Sequence, residues 1–183
     1  MTFLRVVKSL SGAALMAGLF AVVSVDGLEA ASKAAEAKKA IADLSSAKDA
    51  KAKAAALDEI GKIAQVQKSL AEPAMADIKK SLADKDASVR RAAAQCYGRC
   101  DPDPKEALPI LQKMLKEDSE EVKFGVASGL AAMGPNAHDA LPAVRDAMKV
   151  EKEKQEKDKG KQTKLGRELG DTAKAISGMK KKN

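Results

Sequence analysis

Apolar residues recur three and four positions apart along most of the chain, with charged residues between them, which is the pattern of amphipathic helices. The pattern also repeats on a longer scale. The segment EALPILQKML at 106–115 is echoed by DALPAVRDAM at 139–148, an offset of 33 residues. Two further segments, which begin at Leu82 and Leu115, show the same offset. A constant offset of this size indicates a structural repeat, and each unit is predicted to contain two helices.

Helix start and stop signals agree with this division. Asp103 and Pro104 suit an N-cap and a first helical position, and Asn136 is predicted to cap the equivalent helix one unit later. Gly134 is expected to close the helix before it. Pro109 and Pro142 fall in the second helix of their units, where each either bends the helix or delays its regular start. Upstream, Ser46 with Asp49 suggests a capping box.

The repeated unit carries a recognisable motif. It reads D-x-x-V-R-x-x-A-A, followed by a second helix that begins A-L-P-x-L. The motif residues are Asp86, Val89, Arg90, Ala93, Ala94, Ala107, Leu108, Pro109 and Leu111. The next unit departs from the motif with Ser119 in place of Asp and Lys123 in place of Arg. The pattern resembles HEAT-like repeats, in the short form also seen in phycobilin lyase-type repeats. The resemblance implies a right-handed α-solenoid of stacked antiparallel helix pairs, with the second helices along its inner face.

Composition supports the all-α class independently. Only 2% of the residues are aromatic, whereas 45% are hydrophobic and 32% charged. Alanine, leucine, lysine and glutamate lose little conformational freedom in a helix. We therefore predict an all-α protein with a core of small aliphatic side chains.

The pattern divides the chain into five parts. Residues 1–30 are predicted to be a signal peptide, and 31–45 an N-terminal capping helix. Residues 46–150 are predicted to hold about three helix-pair repeats. A charged helix extension or linker is expected at 151–163, and a C-terminal capping helix with a basic tail at 164–183.

The N-terminus has the features of an export signal. Arg5 and Lys8 precede residues 9–25, which carry no charge and have an apolar centre. Cleavage is expected near the sequence LEAAS, which contains Ala30 and Ser32. An uncleaved membrane anchor is the rival interpretation, although the apolar run is shorter than the roughly 20 residues of a typical span. The predicted location is periplasmic or extracellular, with no transmembrane span in the mature chain.

A formal net charge of +7 suits acidic proteins, anionic polymers, membrane surfaces or nucleic acid as partners. Export makes nucleic acid the least expected of these. Stacking aromatics are also scarce, with only Tyr97 and Phe124 beyond the predicted signal.

Candidate chemistry is sparse. His138 is the single histidine and is predicted to lie on the surface. Cys96 and Cys100 share a helix face, and because Cys100 aligns with the apolar Met133, we expect two free thiols packed in the core. No catalytic residue, metal site or cofactor is predicted. A lyase-like enzyme stays an alternative implied by the resemblance alone.

The predicted functional element is a surface on the second helices. The second-helix positions exposed to solvent form three rows, and six of these nine positions are basic. The predicted binding residues are Lys79, Lys80, Gln112, Lys113, Lys116, Arg145 and Lys149. We expect them to bind another protein through an acidic segment, in a non-catalytic scaffold. Two alternatives remain: the lysines only keep the face soluble, or the basic C-terminal segment contacts anionic lipid or an envelope polymer.

Overall fold

The structure is a computed structural model that describes residues 25–157 and 162–178. These residues contain eight α-helices: α1 (Val25–Ser46), α2 (Ala50–Val66), α3 (Met75–Ser81), α4 (Ala87–Arg99), α5 (Pro104–Met114), α6 (Glu120–Met133), α7 (Leu141–Lys157) and α8 (Lys164–Gly178). No strand occurs among the residues described, so the all-α prediction is confirmed. Helices α2 and α3, α4 and α5, and α6 and α7 form three successive pairs of an α-solenoid.

Four helices begin at a residue whose side-chain oxygen accepts a hydrogen bond from a backbone N–H two or three residues later, which satisfies a donor that the helix itself leaves unpaired. These caps are Asp49 for α2, Asp86 for α4, Asp103 for α5 and Ser119 for α6. The predicted cap at Asp103 is therefore confirmed. Ser46 is the last residue of α1, so the predicted capping box with Asp49 is wrong.

The two repeat prolines behave differently. Pro109 lies inside α5, which continues through it. Pro142 is the second residue of α7, because a 3₁₀ segment at Gly134–Ala140 precedes that helix and delays its start. A proline near a helix start removes a donor that would be unpaired in any case. The predicted cap at Asn136 is wrong, since this residue lies within the 3₁₀ segment and its side-chain amide donates to Asp101 instead.

The first helices of the pairs pack in sequence, α2 on α4 and α4 on α6, and form the most closely packed layer among the described residues. Backbone atoms of α4 and α6 are in direct contact in this layer. A Cβ atom added to Gly98 would lie 2.1 Å from the carbonyl oxygen of Gly129, and one added to Gly129 would lie 2.4 Å from that of Ala94. Glycine at these positions therefore allows a helix separation that larger residues would prevent.

The outer helices cover the ends of this layer. Helix α1 packs on α2 through the buried residues Ala37, Ala40 and Leu44. Helix α8 packs on α6 and α7, with Leu169 and Ile176 fully buried. The start of α1 at Val25 precedes the expected cleavage region, and most of the predicted signal peptide lies outside the described residues.

The turns that follow α4 and α6 each contain a residue with a positive φ. Asp101 has a φ of 52°, and Gly134, which is 33 residues later, has a φ of 55°. Gly134 ends α6, as predicted. Aspartate tolerates this left-handed region better than most residues. The carboxylate of Asp101 accepts hydrogen bonds from Lys68 of the preceding turn and Asn136 of the following one, so it joins three consecutive turns.

Candidate binding face of the second helices

The seven predicted binding residues belong to α3, α5 and α7 or, in the case of Lys116, to the turn after α5, and we call the surface that they form the second-helix face. Gln112 is half-buried and the other six are exposed. Lys79 and Lys80 belong to α3, Gln112 and Lys113 to α5, and Arg145 and Lys149 to α7, while Lys116 follows the end of α5. Their role in binding stays a prediction.

Two of the seven residues have partners within the chain. The ammonium of Lys79 pairs with the carboxylate of Glu106, and hydrogen bonding to Glu106 raises the pKa of Lys79. One repeat later, the side-chain amide of Gln112 donates to the backbone carbonyl of Asp139 at 3.0 Å. Both contacts join one second-helix segment to the next at the same repeat position. Part of the hydrogen-bonding capacity of Lys79 and Gln112 is therefore used within the repeat structure.

The other five predicted residues are cations without an ion-pair partner among the described residues. These five residues are Lys80, Lys113, Lys116, Arg145 and Lys149. Their charges are therefore directed to solvent along the second-helix face, where an acidic partner could meet several of them together.

A groove of about 590 Å³ lies on this face between α5 and α7. Its lining includes two of the predicted residues, Gln112 and Lys116, together with the apolar side chains of Ala147 and Val150. Val150 is 50% exposed, which is unusual for a large aliphatic side chain in this protein. The lining of the groove thus combines apolar surface with charged residues.

At the equivalent place between α3 and α5, the side chain of Arg90 bridges the two turns that follow these helices. The guanidinium of Arg90 donates to Glu117 through Nε at 3.1 Å and Nη2 at 3.0 Å. Its Nη1 donates to the backbone carbonyls of Asp84 at 2.9 Å and Lys85 at 3.1 Å. We call this set of contacts the Arg90 clamp. It is made of charge-assisted hydrogen bonds, which are stronger than neutral ones.

One repeat later, the groove occupies the equivalent place and the clamp is absent. Lys123 stands where Arg90 would be, and Val150 where Glu117 would be. Both residues line the groove. The sequence prediction omitted them from the binding residues, although the departure at Lys123 was visible in the repeat alignment. The substitution at Lys123 could be interpreted only together with Val150, which lies outside the motif.

The two cysteines are buried and the single histidine is exposed. Cys96 and Cys100 are buried free thiols, and a hydrogen bond between them together with burial raises the pKa of Cys96. His138 has a side chain that is 72% exposed, with Nδ1 lying 3.8 Å from Asp139. In the described ranges, no group of three or more cysteine, histidine or acidic residues is arranged to hold a metal ion.

The family comparison agrees with this architecture. The family model of HEAT repeats matches residues 75–158, which include α3 to α7. This region is therefore similar to HEAT repeats. HEAT repeats commonly serve as protein-binding scaffolds and are generally non-catalytic. None of the curated protein sequences matches the chain significantly. Across the portions that the structure describes, helices long and apolar enough to cross a membrane are absent.

Proposed function

We propose that this chain is an exported, non-catalytic HEAT-repeat scaffold that binds an acidic segment of another protein through its second-helix face. The carrying observation is the set of five cations on that face without an ion pair in the described part of the chain. Because an isolated surface ion pair contributes about 0–1 kcal/mol, binding would require several of them acting together.

Stacked repeats suit this role because they present neighbouring surfaces in a fixed order. Each pair contributes one second helix, and the ties from Lys79 to Glu106 and from Gln112 to Asp139 hold consecutive helices in register. An extended partner could therefore contact α3, α5 and α7 in turn.

Export is supported by the sequence features of residues 1–25. It is tested by joining residues 1–45 to a reporter that is active only after export. Reporter activity should require the apolar run, so replacing Leu19 and Val22 with charged residues should abolish it. Full activity of that control would remove the support for export.

The binding proposal is tested by reversing three unpaired cations, Lys80→Glu, Lys113→Glu and Arg145→Glu, in one variant. Lys79 is left unchanged because its reversal would place a second carboxylate beside Glu106 and confuse binding with stability. The protein is immobilised and exposed to an envelope and secreted extract at low and high salt. A retained protein is then identified, purified and bound again in isolation.

We expect a partner that is retained by the unchanged protein, released by salt and missed by the triple variant, because salt screens exposed charges over about 10 Å at 0.1 M. The matched control reverses Lys38, Lys39 and Lys51, which are exposed on α1 and α2. It should retain the partner. Equal retention by both variants would reject the second-helix face as the binding surface.

A further inference from the structure

We infer that the groove between α5 and α7 receives a single carboxylate side chain of a partner protein, held by Lys123 and flanked by apolar residues. This inference rests on the proposed function and specifies only the part of the bound segment that enters the groove. It comes from comparing the groove with the equivalent place one repeat earlier.

The preceding repeat shows which chemical group can occupy the equivalent place. In the Arg90 clamp, a cation on the first helix of one pair meets the carboxylate of Glu117, which follows the second helix of that pair. At the equivalent positions the chain keeps a cation, Lys123, and replaces the carboxylate with Val150. The groove therefore keeps the cation of the clamp and lacks its anion.

Lys123 is the best placed of the cations in the groove. It is half-buried, whereas Lys116 and Lys154, which also line the groove, are exposed. No ion pair joins any of these three lysines to another residue that the structure describes. A partly desolvated ammonium gains more from a carboxylate than an exposed one does, because less of the interaction is screened by water.

Carboxylates that already line the groove limit what can enter it. Glu151 is only 4% exposed and accepts a hydrogen bond from Thr163, so it belongs to the packing of α7 and α8. Asp118, Asp139 and Asp146 are exposed. They would repel a run of acidic residues. A segment with one glutamate or aspartate between small apolar residues fits both the cation and the apolar wall.

The test uses three synthetic peptides that carry a fluorophore. The first has one glutamate among alanines and valines, the second has glutamine in its place, and the third has four consecutive glutamates. Affinities are measured by fluorescence anisotropy against the full chain, expressed with its N-terminus intact so that any processing by the host sets the mature form. The glutamate peptide should bind about tenfold more tightly than the glutamine peptide. It should also bind more tightly than the peptide with four glutamates.

Two variants examine the groove directly. Val150→Glu supplies the missing carboxylate within the chain and should lower affinity for the glutamate peptide about tenfold. Val150→Gln has similar size without the charge, and it should bind more tightly than Val150→Glu. Lys123→Gln should abolish the preference for glutamate over glutamine. Lys51→Gln, which is exposed on α2 and lies outside the second-helix face, should change affinity less than about twofold.

Circular dichroism confirms that each variant is folded before binding is measured. Absence of glutamate-peptide binding to the unchanged chain would overturn the inference, as would equal affinity for glutamate and glutamine peptides. Equal affinities of the Val150→Glu and Val150→Gln variants would do the same. These outcomes are distinct from failure of the proposed function, because a partner lost by the Lys80, Lys113 and Arg145 reversal but retained by Val150→Glu would support the scaffold and reject the groove.

Discussion

The first helices and the second helices of this solenoid are held together in different ways. Helices α4 and α6 approach so closely that Gly98 and Gly129 meet through backbone atoms, and α2 packs on α4. Along the second helices, side-chain contacts such as the one between Lys79 and Glu106 join consecutive pairs. Close apolar packing tolerates almost no change of shape, whereas exposed polar contacts tolerate many substitutions. The first helices thus maintain the array, and the second helices are free to vary in chemistry.

The largest expected effect comes from breaking the close packing of the first helices. Gly129→Ala places a methyl group against the carbonyl of Ala94 and should lower the free energy of unfolding by about 3 kcal/mol. The control is Gly170→Ala in α8, where an added Cβ meets nothing within 4 Å. That change should stabilise by about 0.5–1 kcal/mol because alanine restricts the unfolded chain. Urea unfolding measures both, and equal effects would contradict the packing account.

A smaller loss is expected from removing the Arg90 clamp. Arg90→Gln removes contacts to Glu117 and to two backbone carbonyls and should destabilise by about 2 kcal/mol. The matched change one repeat later, Lys123→Gln, should cost less than about 0.5 kcal/mol, since Lys123 has no equivalent clamp. Thermal unfolding of both variants decides the comparison. A similar cost at the two positions would show that the repeats are not distinguished by the clamp.

Asp101 should have a more modest effect and a dependence on pH. Asp101→Ala loses contacts to Lys68 and Asn136 and places alanine at a positive φ, at a cost of about 1–1.5 kcal/mol. Hydrogen bonding to Lys68 lowers the pKa of the Asp101 carboxyl, with Asn136 adding to the effect. The ionised form therefore stabilises the fold above the unfolded pKa of about 3.9, and this contribution is lost as the pH falls through the lower folded value.

Asp101→Asn separates the two parts of that prediction. Asparagine tolerates a positive φ and keeps an acceptor for Asn136, but it cannot pair with Lys68 as an anion. Its stability difference from the unchanged protein should be present at pH 7 and shrink in acid. A difference that is constant between neutral and acidic pH would show that the carboxylate charge does not contribute.

The smallest expected change in stability is on the second-helix face. Reversing Lys80, Lys113 and Arg145 together should alter the free energy of unfolding by less than about 1 kcal/mol, because the three residues are exposed. Differential scanning calorimetry of the same variant used for binding measures this. A large loss would indicate that the face is structural, and would contradict the contrast between the two helix layers.

The amino-acid sequence by itself determined the class and the repeat. An offset of 33 residues, capping aspartates and few aromatics require short helices that cover one another, since one pair cannot bury its apolar face alone. It also selected seven predicted binding residues of which six are exposed, because helical spacing decides which positions face solvent. These are local properties.

Tertiary structure decided which polar side chains have partners elsewhere in the chain. Lys79 meets Glu106, 27 residues away, and Asn136 reaches back to Asp101 instead of capping a helix. Tertiary structure also identified the groove, because Lys123 and Val150 line it together at the place that the Arg90 clamp occupies in the preceding pair. Spacing along one helix shows which way a side chain faces, but the group it meets depends on how the next helix pair packs against it.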